Sequence, residues 1–212
     1  MANTIKQKRG TTDPGASDLV VGELAINTTD GGVFTKTDGG SVVEVGSGGG
    51  GSVLQTSTIT SGDHNADFTG ISTDWVSIEV TFENLSTSTT NNVVLQVGTS
   101  SGFVESGYDS HSGRIGTTGV AGGVNTVGFS CLIGGDAHTL TGTYILTKMG
   151  TGGTNVMVMA SLTASRNDND SSIHGHGFIE IDTSTGIDRV RITPSGTDNF
   201  DKDGNVNVRA FY

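Results

Sequence analysis

Alternation of apolar and polar side chains is the feature that most constrains the fold of this chain. It is clearest within Trp75–Leu85, where every second side chain is apolar: Val76, Ile78, Val80 and Phe82. The residues between them are serine, glutamate or threonine. Because successive side chains of a strand point to opposite faces of a sheet, this pattern predicts an antiparallel strand with one buried face.

Similar β-prone segments recur along the chain, with turn residues between them. They predict further strands at Val93–Val97, Phe103–Tyr108, Val124–Leu132, Thr139–Lys148, Asn155–Leu162, His174–Ile181, Ile187–Thr193 and Val206–Tyr212. Strands at this regular spacing are typical of an antiparallel β-sandwich, and we expect a jelly-roll-like arrangement. Composition points the same way, because 34 of the 212 residues are glycine and glycine is a poor helix former. The predicted fold class is all-β.

A glycine-rich segment, Ser47–Ser52, divides the chain. Its sequence, SGGGGS, predicts a flexible linker, because glycine restricts neither backbone dihedral angle. We place the β-sandwich domain at residues 53–212, after this linker. In front of it we expect a small β unit at residues 18–46, preceded by an extended arm at residues 1–17 that carries basic residues and few apolar ones.

The small unit is predicted to contain short strands joined by turns with Asp-Gly, a strong hairpin signal. The predicted strands are Leu19–Asn27, Val33–Lys36 and Ser41–Val45. Isolated hairpins of this size are marginally stable in water. We therefore expect a partner, or other copies of the same chain, to stabilise this unit.

The charge of the chain limits its partners. The net charge is −11 and the isoelectric point about 4.6, whereas binding to nucleic acid depends on Lys and Arg side chains that neutralise phosphates. We therefore expect neither nucleic acid nor an anionic membrane surface as a partner. No apolar run is long enough to predict a membrane span, and none follows the N-terminal basic residues as in a secretory signal.

Cys131 is the single cysteine, so no disulfide can form within the chain. Its neighbours Phe129, Leu132 and Ile133 are apolar. We predict a buried thiol in a protein that is assembled in a reducing compartment.

Residues 5–46 carry a series of motifs. In order they are a basic arm (IKQKRG), a strand (GELA), a turn (NTTDG), an aromatic strand with Phe34 and Lys36, and a last strand that ends at Gly46. This series resembles the N-terminal segment of many tailed-bacteriophage fibre and virion structural proteins. The resemblance implies attachment to the virion through the following residues: Ile5, Lys6, Lys8, Arg9, Gly22, Glu23, Leu24, Ala25, Asn27, Asp30 and Gly31.

The C-terminal domain resembles the terminal domains of phage fibres in two places, FTGIS near Phe68 and the segment from Ile187 onward. Such domains are usually trimeric β-sandwiches that contact the host surface or build the fibre shaft. The resemblance implies a homotrimer that is made in the host cytoplasm and located in the virion. Its implied partners are other virion proteins, at the N-terminus, and a host-surface polysaccharide or protein.

We therefore expect a phage virion structural protein, a short tail-fibre-like subunit. Two alternatives stay open. One is a capsid decoration or head-fibre protein. The other is a carbohydrate-binding module, in which Trp75, Tyr108 and Tyr144 would stack on sugar rings, although low aromatic content makes most of them core candidates.

His174-Gly175-His176 is the candidate metal site, since alternate residues of a strand share one face. We expect this histidine pair to be structural or solvent-facing. The alternative is a transition metal held where three copies of the chain meet. The segment Asn199–Gly204 begins like a calcium loop, but Ala210 stands where a bidentate Glu is required, so we expect a turn. We expect Asp168–Asp170 to be an exposed loop tip.

The sequence contains no recognisable catalytic motif. It lacks a G-x-S-x-G elbow, an H-E-x-x-H pair and a P-loop lysine motif. We therefore expect neither enzymatic activity nor a cofactor.

Overall fold

The computed structural model describes residues 7–45, 52–116, 119–131, 138–150, 155–167, 171–182 and 186–212. Over these ranges the chain forms strands and no helix, which confirms the predicted all-β class. No helix among these residues is therefore long and apolar enough to cross a membrane. The chain forms two compact units, Met1–Gly51 and Ser52–Tyr212. Of the predicted linker at residues 47–52, only Ser52 lies within the described ranges.

The N-terminal unit is a sheet of four short strands. In chain order they are β1 (Lys8–Gly10), β2 (Leu24–Asn27), β3 (Val33–Lys36) and β4 (Val42–Glu44). They also follow this order in space, with β1 parallel to β2 and the other neighbours antiparallel. Residues 8–10 therefore belong to the sheet, although the sequence suggests a separate arm there. β2 begins later than predicted because Val20–Glu23 forms a tight turn, in which Gly22 has a φ of +79°.

The C-terminal unit contains two antiparallel sheets. Its strands are β5 (Ser52–Ile59), β6 (Ala66–Phe68), β7 (Ser77–Leu85), β8 (Val93–Thr99), β9 (Gly102–Phe103), β10 (Asp109–Gly116), β11 (Gly119–Asn125), β12 (Phe129–Cys131), β13 (Leu140–Gly150), β14 (Asn155–Arg166), β15 (Ser171–Asp182), β16 (Arg189–Pro194) and β17 (Gly204–Phe211). The eight-stranded sheet has the order β11-β10-β15-β14-β13-β7-β17-β5. In the five-stranded sheet the order is β12-β8-β16-β6, with β9 paired to β8.

The two sheets share one hydrophobic core, as expected of a β-sandwich. In β7, Ile78, Val80 and Phe82 are buried, as the alternation of this segment predicts, whereas Val76 precedes the strand and is 60% exposed. Tyr144 of β13 reaches across the core, where its Oη donates a hydrogen bond of 2.9 Å to the backbone O of Phe129 in β12. The jelly-roll arrangement stays a prediction.

In the C-terminal unit, two predicted strands differ from the structure. The strand predicted at Phe103–Tyr108 is wrong, because β9 ends at Phe103 and Gly107, with a φ of +84°, redirects the chain before β10. The segment Val124–Leu132 is interrupted after Asn125. Its two parts belong to different sheets, β11 to the eight-stranded sheet and β12 to the five-stranded one.

Candidate functional site

The turn after β2 holds the preceding segment of the chain in place. Its centre is the buried Asn27, whose Nδ2 donates hydrogen bonds to Asp13 Oδ1 (2.8 Å) and Asp30 Oδ2 (3.1 Å). Asn27 Oδ1 accepts a hydrogen bond of 3.0 Å from the backbone N of Thr29. Gly31 has a φ of +83°, which glycine adopts without strain. These motif residues therefore build the turn and fix Asp13 against it.

The basic residues predicted to dock on a partner differ in their contacts. Lys8 Nζ lies 2.9 Å from Glu23 Oε2 and also donates a hydrogen bond to the backbone O of Asp18. The hydrogen bond from Lys8 holds the pKa of the Glu23 carboxyl below its usual value. Arg9 is exposed and makes no ion pair or side-chain hydrogen bond within the described ranges. Arg9 is therefore better placed than Lys8 to contact a partner.

The N-terminal unit exposes more apolar side chains than it buries. In its described part, the buried apolar residues are Leu19 and Ala25. The exposed large ones are Val20, Val21, Leu24, Val43 and Val45, of which we call Leu24 and Val43 the N-terminal apolar surface. Val20 is 68% exposed, and Leu24 and Val43 share one face because both are in register with Thr35 of β3. Exposed apolar side chains that share one face are a candidate contact site.

Two of the predicted attachment residues, Ile5 and Lys6, lie outside the described residues. Among the others, Lys8 pairs with Glu23 and Arg9 is exposed. Turns are shaped by Gly22, Asn27, Asp30 and Gly31. Leu24 belongs to the N-terminal apolar surface, and Ala25 of β2 is buried.

The predicted histidine pair lies on β15, where both His174 and His176 are exposed. His176 is in register with His111 of β10, and their ring centroids are 6.0 Å apart. His111 Nε2 also lies 3.0 Å from Asp109 Oδ1. The sequence does not place His111 here, because nothing local specifies that β10 pairs with β15.

These histidines do not form a metal site within one chain. Among the residues described by the structure, no group of three or more His, Cys, Asp or Glu side chains is placed to hold a metal ion. A metal held between copies of the chain stays a prediction.

The histidines border an apolar area on the outward surface of the eight-stranded sheet. Phe178 is 44% exposed, and Met159 of β14 is directly opposite it. Met149 and Met157 form the next apolar pair across β13 and β14. A shallow depression of about 370 Å³ is lined by Met157, Met159, His176 and Phe178 together with β10. We call the outward surface of β10, β15, β14, β13 and β7 the outer face.

A polar groove of about 430 Å³ lies on the five-stranded sheet and is lined in part by Gln96, Glu105 and Arg191. Arg191 Nε and Nη2 donate hydrogen bonds to the two carboxylate oxygens of Asp67 at 2.6 and 2.8 Å, and the guanidinium lies 4.0 Å from the ring of Phe103. The hydrogen bonds to Asp67 raise the pKa of Arg191. Because Asp67 already balances the positive charge, the groove suits a neutral polar ligand better than an anion.

The aromatic residues considered for sugar stacking are buried in the core: Trp75, Tyr108 and Tyr144. Trp75 Nε1 donates a hydrogen bond of 2.9 Å to the backbone O of Ile187. Tyr108 Oη accepts one of 2.9 Å from the backbone N of Val97. These side chains cannot stack on an external sugar, so the stacking role considered for them is wrong.

Three other predictions concern local structure. The segment at residues 199–203 leads into β17 with a bend at Lys202, and its buried Phe200 pairs with Thr87 rather than forming a turn. The backbone N of Phe200 donates a hydrogen bond of 2.8 Å to Asp63 O. Cys131 is buried as predicted, and burial raises the pKa of its thiol. The loop predicted at Asp168–Asp170 lies outside the described residues.

Comparison with known proteins gives no match. No family model matches the chain, and neither a curated protein nor a solved structure matches it. The likeness of residues 5–46 to bacteriophage virion proteins therefore stays a prediction made from sequence motifs.

Proposed function

We propose that the protein is a structural component of a bacteriophage virion, a short tail-fibre-like subunit. Its N-terminal unit attaches to the particle, and its β-sandwich is displayed for contact with the host surface. The protein acts as a homotrimer in the virion and has no enzymatic activity or cofactor. It is made in the host cytoplasm.

The observation that carries this proposal is the N-terminal apolar surface. A sheet of four short strands that buries Leu19 and Ala25 gains only about 2–4 kcal/mol from these two side chains, which is little against the entropy of ordering the unit. We infer that the unit needs further stabilisation, which a partner that covers Leu24 and Val43 would supply. Attachment to a virion protein meets this need, and it fits the motifs that this segment shares with phage attachment segments.

The C-terminal unit supports a role in display and binding. Its buried aromatic side chains form hydrogen bonds with backbone atoms inside the core and are therefore part of the scaffold. The polar groove with Gln96, Glu105 and Arg191 offers hydrogen-bonding groups to a neutral polysaccharide. Contact with the host surface is the corresponding proposal for this unit.

Electron microscopy of particles labelled at the C-terminus tests the proposal. We expect the label at the tail. A label over the shell would support the alternative of a capsid decoration or head-fibre protein, and particles without label would overturn both.

Substitutions in the N-terminal unit test the attachment surface itself. Leu24→Glu and Val43→Glu place a charge in a contact that we expect to be apolar, and both should remove the protein from purified particles. Val76→Glu is the matched control, because Val76 is 60% exposed and lies in the C-terminal unit. Normal incorporation of both N-terminal variants would contradict the proposed attachment.

A further inference from the structure

The centre of the outer face carries almost no charge. On β13, β14 and β15, the three central strands of this face, the outward side chains that the structure describes are Thr, Ser, Met, Ile, His and Phe, with Glu180 as the carboxylate among them. The whole chain has 22 Asp and Glu residues and a net charge of −11. The carboxylates Asp109, Glu79 and Glu83 lie on the flanking strands, the first on β10 and the other two on β7. Depletion of charge around exposed aromatic and Met side chains is typical of the centre of a protein interface.

The charge distribution favours a second copy of this chain as the occupant. Two molecules that each carry a net charge of −11 repel one another wherever their carboxylates meet. The outer face is a surface on which copies can meet without opposing carboxylates at its centre. A basic partner would instead gain from contact with the acidic surface elsewhere on the molecule.

The size of the outer face also fits self-association. Neighbouring strands lie about 4.8 Å apart and rise about 3.4 Å per residue, so five strands of about ten residues cover about 800 Å². A stable protein interface buries about 800 Å² on each partner. The outer face as a whole therefore offers an area of this order, which a trimer would divide between two neighbours.

We propose that the outer face packs against the same face of other copies of this chain, with Phe178, Met159 and Ser161 inside the contact. The inference rests on the proposed homotrimer and names the surface that forms it. Around a three-fold axis, each outer face would contact both neighbours. His176 and Phe178, together with the residues in register with them on the neighbouring strands, would then lie nearest the axis.

The test is the mass of the purified full chain, measured by light scattering coupled to size-exclusion chromatography at about 10 μM. We expect the wild type at three times the 21.6 kDa of one chain. Phe178→Glu and Ser161→Glu each place like charges opposite one another, and we expect both to elute as monomers. Ser161 is exposed, so its substitution has little effect on folding. The emission of the buried Trp75 reports whether each variant is folded.

Val127→Glu is the matched control. Val127 is 38% exposed, similar to Phe178, but it lines the polar groove on the other sheet, and this variant should keep the wild-type mass. An assembled wild type with folded variants of unchanged mass would overturn the outer face as the interface while leaving the proposed function standing. A monomeric wild type would overturn both the inference and the homotrimer. Monomeric outer-face variants together with a wild type absent from virions would support the inference and contradict the function.

Discussion

Tyr144 joins the two sheets of the sandwich, and its substitution tests how the core is held together. The side chain is 1% exposed, and its ring lies 5.7 Å from that of Phe82 between centroids. Its Oη donates the 2.9 Å hydrogen bond to the backbone O of Phe129. Burial raises the pKa of Tyr144, so the hydroxyl stays protonated and able to donate. The perturbation we consider is Tyr144→Phe, with Tyr144→Ala as the larger change.

The two substitutions remove different contributions to the free energy of unfolding. Tyr144→Phe keeps the ring and leaves the Phe129 carbonyl without this donor, which costs about 1–3 kcal/mol. Tyr144→Ala also removes the ring and leaves a cavity, and the total cost is about 3–5 kcal/mol. For a domain of this size each kcal/mol corresponds to about 2–4 °C in Tm. A loss of about 2 kcal/mol in Tyr144→Phe therefore lowers Tm by about 4–8 °C.

Urea unfolding followed by the fluorescence of Trp75 measures both losses, since Trp75 is the one tryptophan and is fully buried. All variants are compared at one protein concentration, because self-association adds to apparent stability. Tyr212→Phe is the control, because it makes the same chemical change at a half-buried side chain, and we expect an effect within about 0.5 kcal/mol. If Tyr144→Phe were as stable as Tyr212→Phe, the assigned hydrogen bond across the core would be refuted.

Three further predictions address other parts of the molecule. Because burial raises the pKa of the Cys131 thiol, we expect iodoacetamide at pH 8 to modify Cys131 only after denaturant is added, and rapid modification of the native protein would contradict its burial. We expect Asn27→Ala to release the segment held by the turn and to speed tryptic cleavage after Arg9, with the Tm of the sandwich unchanged; an unaltered cleavage rate would count against the turn as a clamp. A Cβ at residue 98 would lie 2.5 Å from the backbone O of residue 102, so Gly98→Ala should lower stability by about 1–3 kcal/mol in calorimetry, whereas Gly150→Ala, with open space around it, should be nearly neutral.

The alternation in the sequence predicts strands well where one face packs on a large apolar core. β7 is the clearest case, because Ile78, Val80 and Phe82 all face inward. The alternation does not predict β10, because the buried residues of this strand are small and polar. Ser110 Oγ accepts a hydrogen bond of 2.9 Å from the backbone N of Ser130, and Ser112 is also buried. A strand whose inward side chains are serines shows no alternation of apolar and polar residues in its sequence.

For the candidate sites, the sequence predicts only those features that depend on residues of a single strand. Parity along one strand places His174 and His176 on the same face as Phe178, and the structure agrees. The position of His111 beside His176 depends on pairing between strands that are distant in sequence, and no local signal encodes that register. The ion pair of Lys8 with Glu23 depends likewise on β1 joining the sheet, where the sequence suggested a separate arm.

The two units leave apolar side chains exposed for different physical reasons, and this separates their proposed roles. The N-terminal sheet is too small to enclose its own apolar residues, so any partner that covers Leu24 and Val43 stabilises it. The outer face belongs to a sandwich that already has a complete core, so its apolar residues contribute nothing to that core. A charge at Phe178 should therefore change the mass of the assembly and leave the fold intact, whereas a charge at Val43 should prevent attachment to the particle. If the charge at Phe178 and the charge at Val43 each caused loss of both assembly and attachment, a single surface would serve both contacts.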